Sequence, residues 1–387
     1  SADMNMTMSA ATGMNGALQV NELTAAGVLL DTIRFNVVSD SVNCTYNGQI
    51  RNSKNNPQYV FNSLFDGYVF DRGSGLNISI YDAANRLGIK LGATATIEDT
   101  GTRLHLLTDD IILGYKRFEA NENNYLFLGD DNRVSANLKL KSADGMGLQV
   151  YTNDDNHDAL QDITVGLSNF DLSKITAVLP YFPKITGNMN GDFHAIQTKE
   201  NITLSSNLSV DKMTYEGCSL GDISTEFVYI PQEDGSHYLD AVLFSEGSQV
   251  GSLIGTYHPA GKGVLNADLK LEHLPMKIVN GFIPQQLFGF EGYADGSMTV
   301  RGELSKPHVD GEVFLDSMYM VSVPYGVKLR FSDDPVRVVD SKLMLENFEV
   351  FGHNDNPLNI YGNINFADLD NVYMDVRMKA TNYQLIN

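Results

Sequence analysis

Residues 358–380, LNIYGNINFADLDNVYMDVRMKA, carry the pattern that decides the fold. Apolar side chains occupy alternate positions in two successive runs, Leu358, Ile360, Ile364 and Phe366 and then Val372, Met374, Val376 and Met378. Charged residues fill positions between them in the second run. Because successive residues of a strand face opposite sides of a sheet, this stretch predicts two strands with one apolar face and one solvated face.

The same alternation recurs along the rest of the chain. It is found at Leu87, Ile89, Leu91, Ala93, Ala95 and Ile97, at Val134, Ala136, Leu138 and Leu140, and at Leu265, Ala267, Leu269 and Leu271. Turn sequences such as Asp234-Gly235 separate the runs, and short connections favour antiparallel neighbours. At about 12 residues per strand and turn, the sequence predicts an all-β, mostly antiparallel meander of roughly 30 strands.

Two short helical signals interrupt the meander. Asp171 is a good N-cap for an amphipathic run that Pro180 ends. Pro275 suits the first position of a second amphipathic run, which Pro284 ends. Each helix is predicted to be about two turns long.

The helices belong to an internal repeat of about 105 residues. Corresponding positions include Leu167 and Leu271, Gly187 and Gly292, Gly191 and Gly296, Asp211 and Asp316, and Met213 and Met318. A third copy begins at Asn382, so we expect the sequence to be a fragment of a longer repetitive protein. The predicted organisation is one continuous repetitive β-groove over residues 1–387, with an irregular unit at 1–166 and further units at 167–270 and 271–387.

Composition disfavours some functions. The chain has 27 Lys and Arg against 48 Asp and Glu, a net charge of -21 that repels the phosphate backbone of nucleic acids. Its two cysteines, Cys44 and Cys218, supply no disulfide framework and no thiolate metal cluster, and we expect two buried thiols. No run of about 18 apolar residues is present, so we expect any membrane anchor to lie outside this sequence.

One part of the sequence resembles a known family. The matching elements, in order, are Leu271-Glu272-His273-Leu274-Pro275-Met276, Gly292, Gly296, Met298 to Leu304, Pro307 and Gly311-Glu312-Val313-Phe314-Leu315. Their order and spacing resemble the TamB branch of the AsmA-like superfamily, in a form typical of Bacteroidetes. The resemblance continues to the C-terminus and is weaker around residues 163 to 229.

This resemblance implies a fold and a cellular setting. The fold is a β-taco, a long, curled and incompletely closed sheet with an apolar groove inside. The setting is the periplasm of a bacterium with two membranes. There, family members have an inner-membrane anchor and contact an Omp85-type outer-membrane barrel, both through regions that we expect outside this sequence.

The apolar face of the predicted sheet is the candidate site. Its predicted lining residues are Leu87, Ile89, Leu91, Ile97, Val134, Leu138, Leu140, Leu265, Leu269, Leu271, Leu358, Ile360, Ile364, Phe366, Val372, Met374, Val376 and Met378. Periodicity alone also fits an ordinary closed sandwich core. With the resemblance, we expect a passive phospholipid conduit without enzymatic activity or cofactor, and the alternative is a scaffold for the assembly or translocation of outer-membrane proteins.

The sequence offers few candidates for other chemistry. The eight histidines are scattered without a pair at helical metal-ligand spacing, and no metal site is predicted. Residues 153–158 resemble a calcium loop but lack the glycine and the distal glutamate of that motif. No nucleophile elbow, phosphate-binding loop or dinucleotide fingerprint is present.

Overall fold

The computed structural model describes residues 2–9, 13–25, 28–40, 42–56, 59–179, 182–283, 288–322, 324–368 and 371–385. Within these ranges, 27 strands form one antiparallel sheet, accompanied by two short helices. This confirms the prediction of an all-β, antiparallel chain. The chain divides into two units, Ser1–Glu200 and Asn201–Asn387, while the three repeat units defined from the sequence remain a prediction.

The first unit is a meander in which most strands pair with their neighbours in sequence, apart from a few pairings that skip one or two strands. Its strands are β1 (Ala2–Ser9), β2 (Gly13–Ala25), β3 (Val28–Ser39), β4 (Cys44–Asn52), β5 (Phe61–Phe70), β6 (Gly73–Tyr81), β7 (Leu87–Glu98), β8 (Gly101–Leu106), β9 (Ile111–Leu113), β10 (Lys116–Ala120), β11 (Tyr125–Gly129), β12 (Val134–Ser142), β13 (Gly147–Thr152), β14 (Gln161–Asp171) and β15 (Ile185–Gln197).

The second unit continues in the same manner. Its strands are β16 (Ile202–Tyr215), β17 (Cys218–Pro231), β18 (His237–Ser245), β19 (Ser248–His258), β20 (Val264–Pro275), β21 (Gly289–Glu303), β22 (His308–Ser322), β23 (Val327–Phe331), β24 (Val336–Val339), β25 (Lys342–Phe351), β26 (Pro357–Asn365) and β27 (Tyr373–Ala380). β27 pairs with β26 in an antiparallel register.

Two corresponding positions of the predicted repeat lie in β-bulges. Asn169 in β14 and His273 in β20, 104 residues apart, both have positive φ, 47° and 52°. Each lies where the register shifts, and each donates its backbone N–H to a side chain of the next strand, at 2.7 Å to Oδ1 of Asn190 or Asp295. A bulge bends a strand, so both segments turn at corresponding positions, and pairing resumes for two residues before each helix begins.

A helix follows each bulge, with two differences from prediction. The first, α1 (Leu172–Thr176), has the predicted N-cap, because the Asp171 carboxylate accepts a hydrogen bond from Ser173, but it is only five residues long. The second, η1 (Met276–Phe282), is a 3₁₀ helix, and Pro275 ends β20 rather than starting the helix. The predicted stop residues Pro180 and Pro284 lie outside the described residues.

The first unit has a packed core beneath α1. Ile111, Phe118, Leu140 and Met146 are at most 3% exposed, and Ile175 of α1 packs against them. Val178, which follows α1, is fully buried, and a Cβ atom added at Gly88 would lie 2.5 Å from its methyl groups. Since a side chain at Gly88 would displace this segment, the glycine permits the close approach.

Candidate ligand-binding face

In the second unit, the predicted lining residues fall on one side of the sheet. Leu269 pairs with Leu253 on one neighbouring strand and with Met298 on the other. Directly paired residues share a face, so the register can be followed from strand to strand. One such row runs from β17 to β27 through Phe227, Ala241, Leu253, Leu269, Met298, Gly311, Val338, Leu343, Ile364 and Met374.

We call this side the apolar face of the second unit, defined by that row and by the residues that alternate with it along each strand. It also contains the predicted residues Leu265, Leu271, Leu358, Ile360, Val376 and Met378. Phe366 and Val372 lie just beyond the ends of β26 and β27. The register thus brings together all the residues predicted in this unit, apart from these two at the strand ends.

No charged side chain occurs on the apolar face between Leu204 and Met378, among the residues that the strand pairings place there. The opposite side of the same strands carries the charges, for example Asp268 and Lys270 on β20 and Arg377 and Lys379 on β27. A clean separation of this kind over many strands is typical of a face turned away from bulk water.

The apolar face is nevertheless only partly covered by protein. Leu265, Leu269, Leu271, Leu358, Ile360, Ile364, Phe366 and Val376 are half-buried. On and beside β27, Val372, Met374 and Met378 are 55%, 70% and 66% exposed. Other residues of the same face are buried, among them Ala267 at 5% and Val338 at 4% exposed, so the face combines buried and accessible positions.

The corresponding face of the first unit is open at one end and closed at the other. Ile97 and Val134 lie in one paired row with Thr102 and Leu128, and Ile97 is 52% exposed. Leu91 and Leu138 are partly buried against the core. Leu87 lies beyond a register shift and pairs with Tyr81.

At the closed end, predicted lining residues are buried within the unit. Ile89 is 8% exposed and Leu140 is 3% exposed, and Leu140 belongs to the packed core. Tyr59 holds the segment after α1 through a 2.6 Å hydrogen bond from its hydroxyl to the carbonyl oxygen of Ala177. In this conformation Ile89 and Leu140 contact protein, so a ligand has access only to the opposite end of this face.

A network of polar side chains supports the strand ends beside α1. Burial alone would raise the pKa of Asp82, but hydrogen bonds from Arg86 and Tyr115 outweigh it and lower this pKa to about 2. The Tyr115 pKa rises to about 12, through burial and through its hydrogen bond to Asp82. Asp82 is therefore ionised at neutral pH and ties the β6–β7 turn to β10.

A polar cavity in the second unit was not predicted from the sequence. Its volume is ≈ 630 Å³, and it lies where β20 leaves the sheet between the β18–β19 hairpin, η1 and the start of β21. Its polar and ring-bearing lining residues include Ser245, Glu246, Gln249, Glu272, His273, Lys277, Glu291 and Tyr293. Glu272 and His273 were visible as part of the family-like segment, but only the bulge and η1 bring them next to the hairpin.

Asn280 fixes one wall of this cavity. Its side chain donates to the carbonyl oxygen of Phe290 at 2.9 Å and accepts from the Phe290 backbone N–H at 2.6 Å. The Cys218 thiol lies 3.4 Å from the Asn280 carbonyl oxygen. These contacts connect η1 to β21 and β17, so the wall is held in place before any ligand binds.

Neither cysteine forms a disulfide, and both thiols are half-buried rather than fully buried. Among the described residues no group of three or more His, Cys, Asp or Glu side chains is arranged to hold a metal ion. Within the same ranges no helix has the length and apolar character needed to cross a membrane. No protein-family model, curated protein or solved structure matches the chain.

Proposed function

We propose that the chain binds phospholipid acyl chains on its apolar faces and acts as a passive lipid conduit between two membranes. The observation that supports this most directly is the second unit's apolar face, which carries no Asp, Glu, Lys or Arg along the paired row and whose predicted lining residues remain partly accessible. An apolar chain is the complementary ligand, because sugars and nucleotides require polar partners that this face lacks.

The energy of binding comes from removing apolar surface from water. Each buried methylene contributes about 0.8 kcal/mol, so contact of a few methylenes with the face offsets part of the cost of leaving a bilayer. Movement along the sheet needs neighbouring sites of similar affinity. The alternating aliphatic lining provides such sites, and no step requires catalysis, so the proposal describes a carrier and not an enzyme.

The proposal includes the setting implied by the family resemblance. The protein would work in the periplasm, anchored to the inner membrane and contacting an Omp85-type barrel through regions outside this sequence. The outward side chains would remain in water. They carry most of the net charge of -21, which keeps a long sheet soluble.

The alternative function is a scaffold that assists outer-membrane protein assembly. It would rely on pairing at a sheet edge, and the β27 side chains of Tyr373, Met374 and Met378 are at least 66% exposed. An unpaired strand edge can receive a client strand through backbone hydrogen bonds. This mode uses the edge of the sheet and leaves the apolar face free.

Single-tryptophan quenching tests the conduit proposal. The chain has no tryptophan, so Leu269→Trp places one reporter on the apolar face without background. Ile254→Trp is the matched control, because Ile254 pairs with Asp268 and faces the opposite side of the adjacent strand. Phospholipid with brominated acyl chains should quench the tryptophan at 269 strongly and that at 254 weakly.

Equal quenching at the two positions would contradict binding on the apolar face. Lipid mass spectrometry on the detergent-free protein supplies an independent measurement, and we expect stoichiometric phospholipid that the variant Leu269→Asp, Ile360→Asp no longer carries. If brominated lipid quenches neither tryptophan and the purified protein carries no phospholipid, the scaffold becomes the better explanation of the function.

A further inference from the structure

A polar depression lies on the outward side of the sheet in the first unit. Its volume is ≈ 440 Å³, within the range of about 300 to 1,000 Å³ that is usual for ligand sites. Val150 and Val165, which pair with each other, face the opposite side of the same strands. Two paired rows across β13, β14 and β15 line the depression: Gln149, Gly166 and Asp192, and Tyr151, Thr164 and His194.

Gly166 is the reason that the sheet has a depression at this point. A Cβ atom built at this glycine would meet no atom within 4 Å, so the space above the strand is empty. Its φ is not positive, so the backbone conformation does not require glycine either. A glycine inside a strand weakens the strand and often marks a place where a ligand approaches closely. Neither backbone conformation nor packing accounts for Gly166, which leaves ligand access as its physical role.

The side chains around Gly166 offer hydrogen bonds to a ligand. Four of them form no hydrogen bond or ion pair within the described part of the chain: Gln149, Tyr151, Thr164 and Asp192. They supply an amide, two hydroxyls and a carboxylate, and the lining contains no Lys or Arg. Amides and hydroxyls both donate and accept, whereas a phosphate or sulfate group needs cationic donors. The lining therefore suits a ligand rich in hydroxyl groups and disfavours an anion.

His194 is held in position by a buried carboxylate. Its Nε2 lies 2.8 Å from Asp162 Oδ1, and the Asp162 side chain is 8% exposed. Burial alone would raise the pKa of Asp162, but hydrogen bonds from Asn156 and His194 outweigh it and lower this pKa. The ionised carboxylate accepts the Nε2 hydrogen, so Nδ1 of the neutral ring is the acceptor that remains for a ligand hydroxyl.

Tyr151 adds an apolar surface to this polar lining. Its side chain is 48% exposed and borders the depression. An aromatic ring of this kind presents an apolar face and a polar hydroxyl at the same time. A pyranose ring has the complementary form, with C–H groups on its faces and hydroxyl groups around its edge. The combination of one exposed ring with several neutral polar groups therefore favours a sugar.

The second unit lacks this arrangement at the corresponding strands of the predicted repeat. Lys270, 104 residues after Gly166, occupies the position of the glycine. Ile254 pairs with Asp268 as Tyr151 pairs with Thr164, so an aliphatic side chain replaces the aromatic ring. Because a lysine fills the position that is empty in the first unit, the site is assigned to the first unit alone.

We propose that this depression binds a neutral carbohydrate, with the Tyr151 ring packed against one face of a pyranose ring. The side chains that bind the hydroxyl groups of the sugar are Gln149, Thr164, Asp192 and His194. The proposal goes beyond the lipid conduit and does not depend on it, because the depression lies on the outward side of the sheet and leaves the apolar side free.

The test is a ligand-observed NMR titration of the full chain with neutral disaccharides of glucose, galactose, mannose and N-acetylglucosamine. We expect at least one of them to bind with a Kd of about 1 mM. Tyr151→Ala should weaken this binding by about tenfold, through loss of the ring contact. Gly166→Leu should abolish it without lowering the melting temperature, because the new side chain occupies empty space on a strand that glycine weakens.

Tyr373→Ala is the matched control, since Tyr373 is a 68% exposed tyrosine on β27, outside the lining of the depression. It should leave the affinity within about twofold. If none of the four disaccharides binds at about ten times the expected Kd, the carbohydrate site is refuted. Binding that survives Gly166→Leu, or equal effects of Tyr151→Ala and Tyr373→Ala, would also overturn it. Lipid quenching of a tryptophan at position 269 reports on the other side of the sheet, so each proposal can fail alone.

Discussion

Replacing Leu269 by Asp is the most direct perturbation of the apolar face. Leu269 is half-buried between Leu253 and Met298, in a row that contains no charge. A hydrated carboxylate at this point keeps a bound acyl chain away from the surface around it. If three methylenes lose contact, the loss is about 2.4 kcal/mol, which corresponds to roughly 60-fold weaker binding.

The matched control places the same charge on the other side of the sheet. Ile254→Asp also exchanges a large aliphatic residue for Asp, but Ile254 is 47% exposed and pairs with Asp268 on the outward side. We expect its acyl-chain affinity to remain within about twofold of the starting protein, less than 0.5 kcal/mol. Leu269→Asn, which adds polarity without charge, should give an intermediate loss.

The assay is titration with a fluorescent fatty-acid analogue, accompanied by circular dichroism and thermal melting to establish that each variant is folded. The second substitution, Ile360→Asp, lies six strands along the chain order, on β26, so its effect should add to that of Leu269→Asp. If the folded Leu269→Asp variant binds the fatty-acid analogue as tightly as the Ile254→Asp variant does, the reasoning is refuted, because the charge would then act identically on both faces.

Three further predictions concern stability. Val178→Ala removes two methyl groups from a fully buried site beside Gly88, and chemical denaturation should show that the free energy of unfolding falls by about 2 kcal/mol. A change below about 0.5 kcal/mol would mean that the segment after α1 is not packed as described. The pKa of Asp82 is lowered from 3.8 to about 2, so the stability that its carboxylate contributes is complete above pH 3.8 and is lost as pH falls through about 2. Asp82→Asn should therefore cost about 2 kcal/mol at pH 7 and much less near pH 2. A cost that does not change with pH would contradict this. Gly292→Ala should destabilise the protein by about 2 to 3 kcal/mol, because φ is 95° and the new Cβ would lie 2.4 Å from the Ser317 carbonyl oxygen. Gly247→Ala is the control, since φ is 79° there but the space around it is open, and it should cost only about 1 kcal/mol. Similar costs at both sites would show that the backbone conformation, and not the contact, decides the loss.

The alternating pattern was sufficient to predict an antiparallel sheet and, within each uninterrupted run, which residues share a face. Residues such as Leu269, Ile364 and Met374 are far apart in sequence, yet their parity placed them on one side, and the register confirms this. The physical reason is that side-chain direction in a strand is a local property with a period of two. The helix after Asp171 was also predictable, because N-capping involves neighbouring residues.

The length and type of the helices were harder to predict from the sequence. The run after Pro275 has a helical pattern, but the chain forms a 3₁₀ helix there, held by Asn280 against Phe290. Those contacts come from a different strand and leave no trace in local periodicity. Likewise, nothing in the alternation of β7 and β12 distinguishes Ile97, which is exposed, from Leu140, which is buried in the core.

By itself, the sequence determined the all-β class, the antiparallel order and the separation of an apolar from a charged face, since all three follow from interactions between near neighbours in the chain. Only the tertiary structure decided how much of that face remains open, and only it assembled Ser245, Glu272 and Lys277 around one cavity. The physical reason is that burial and cavities depend on the bulges and on packing between strands distant in sequence. Those contacts are set by the whole fold and not by the alternation of any one strand.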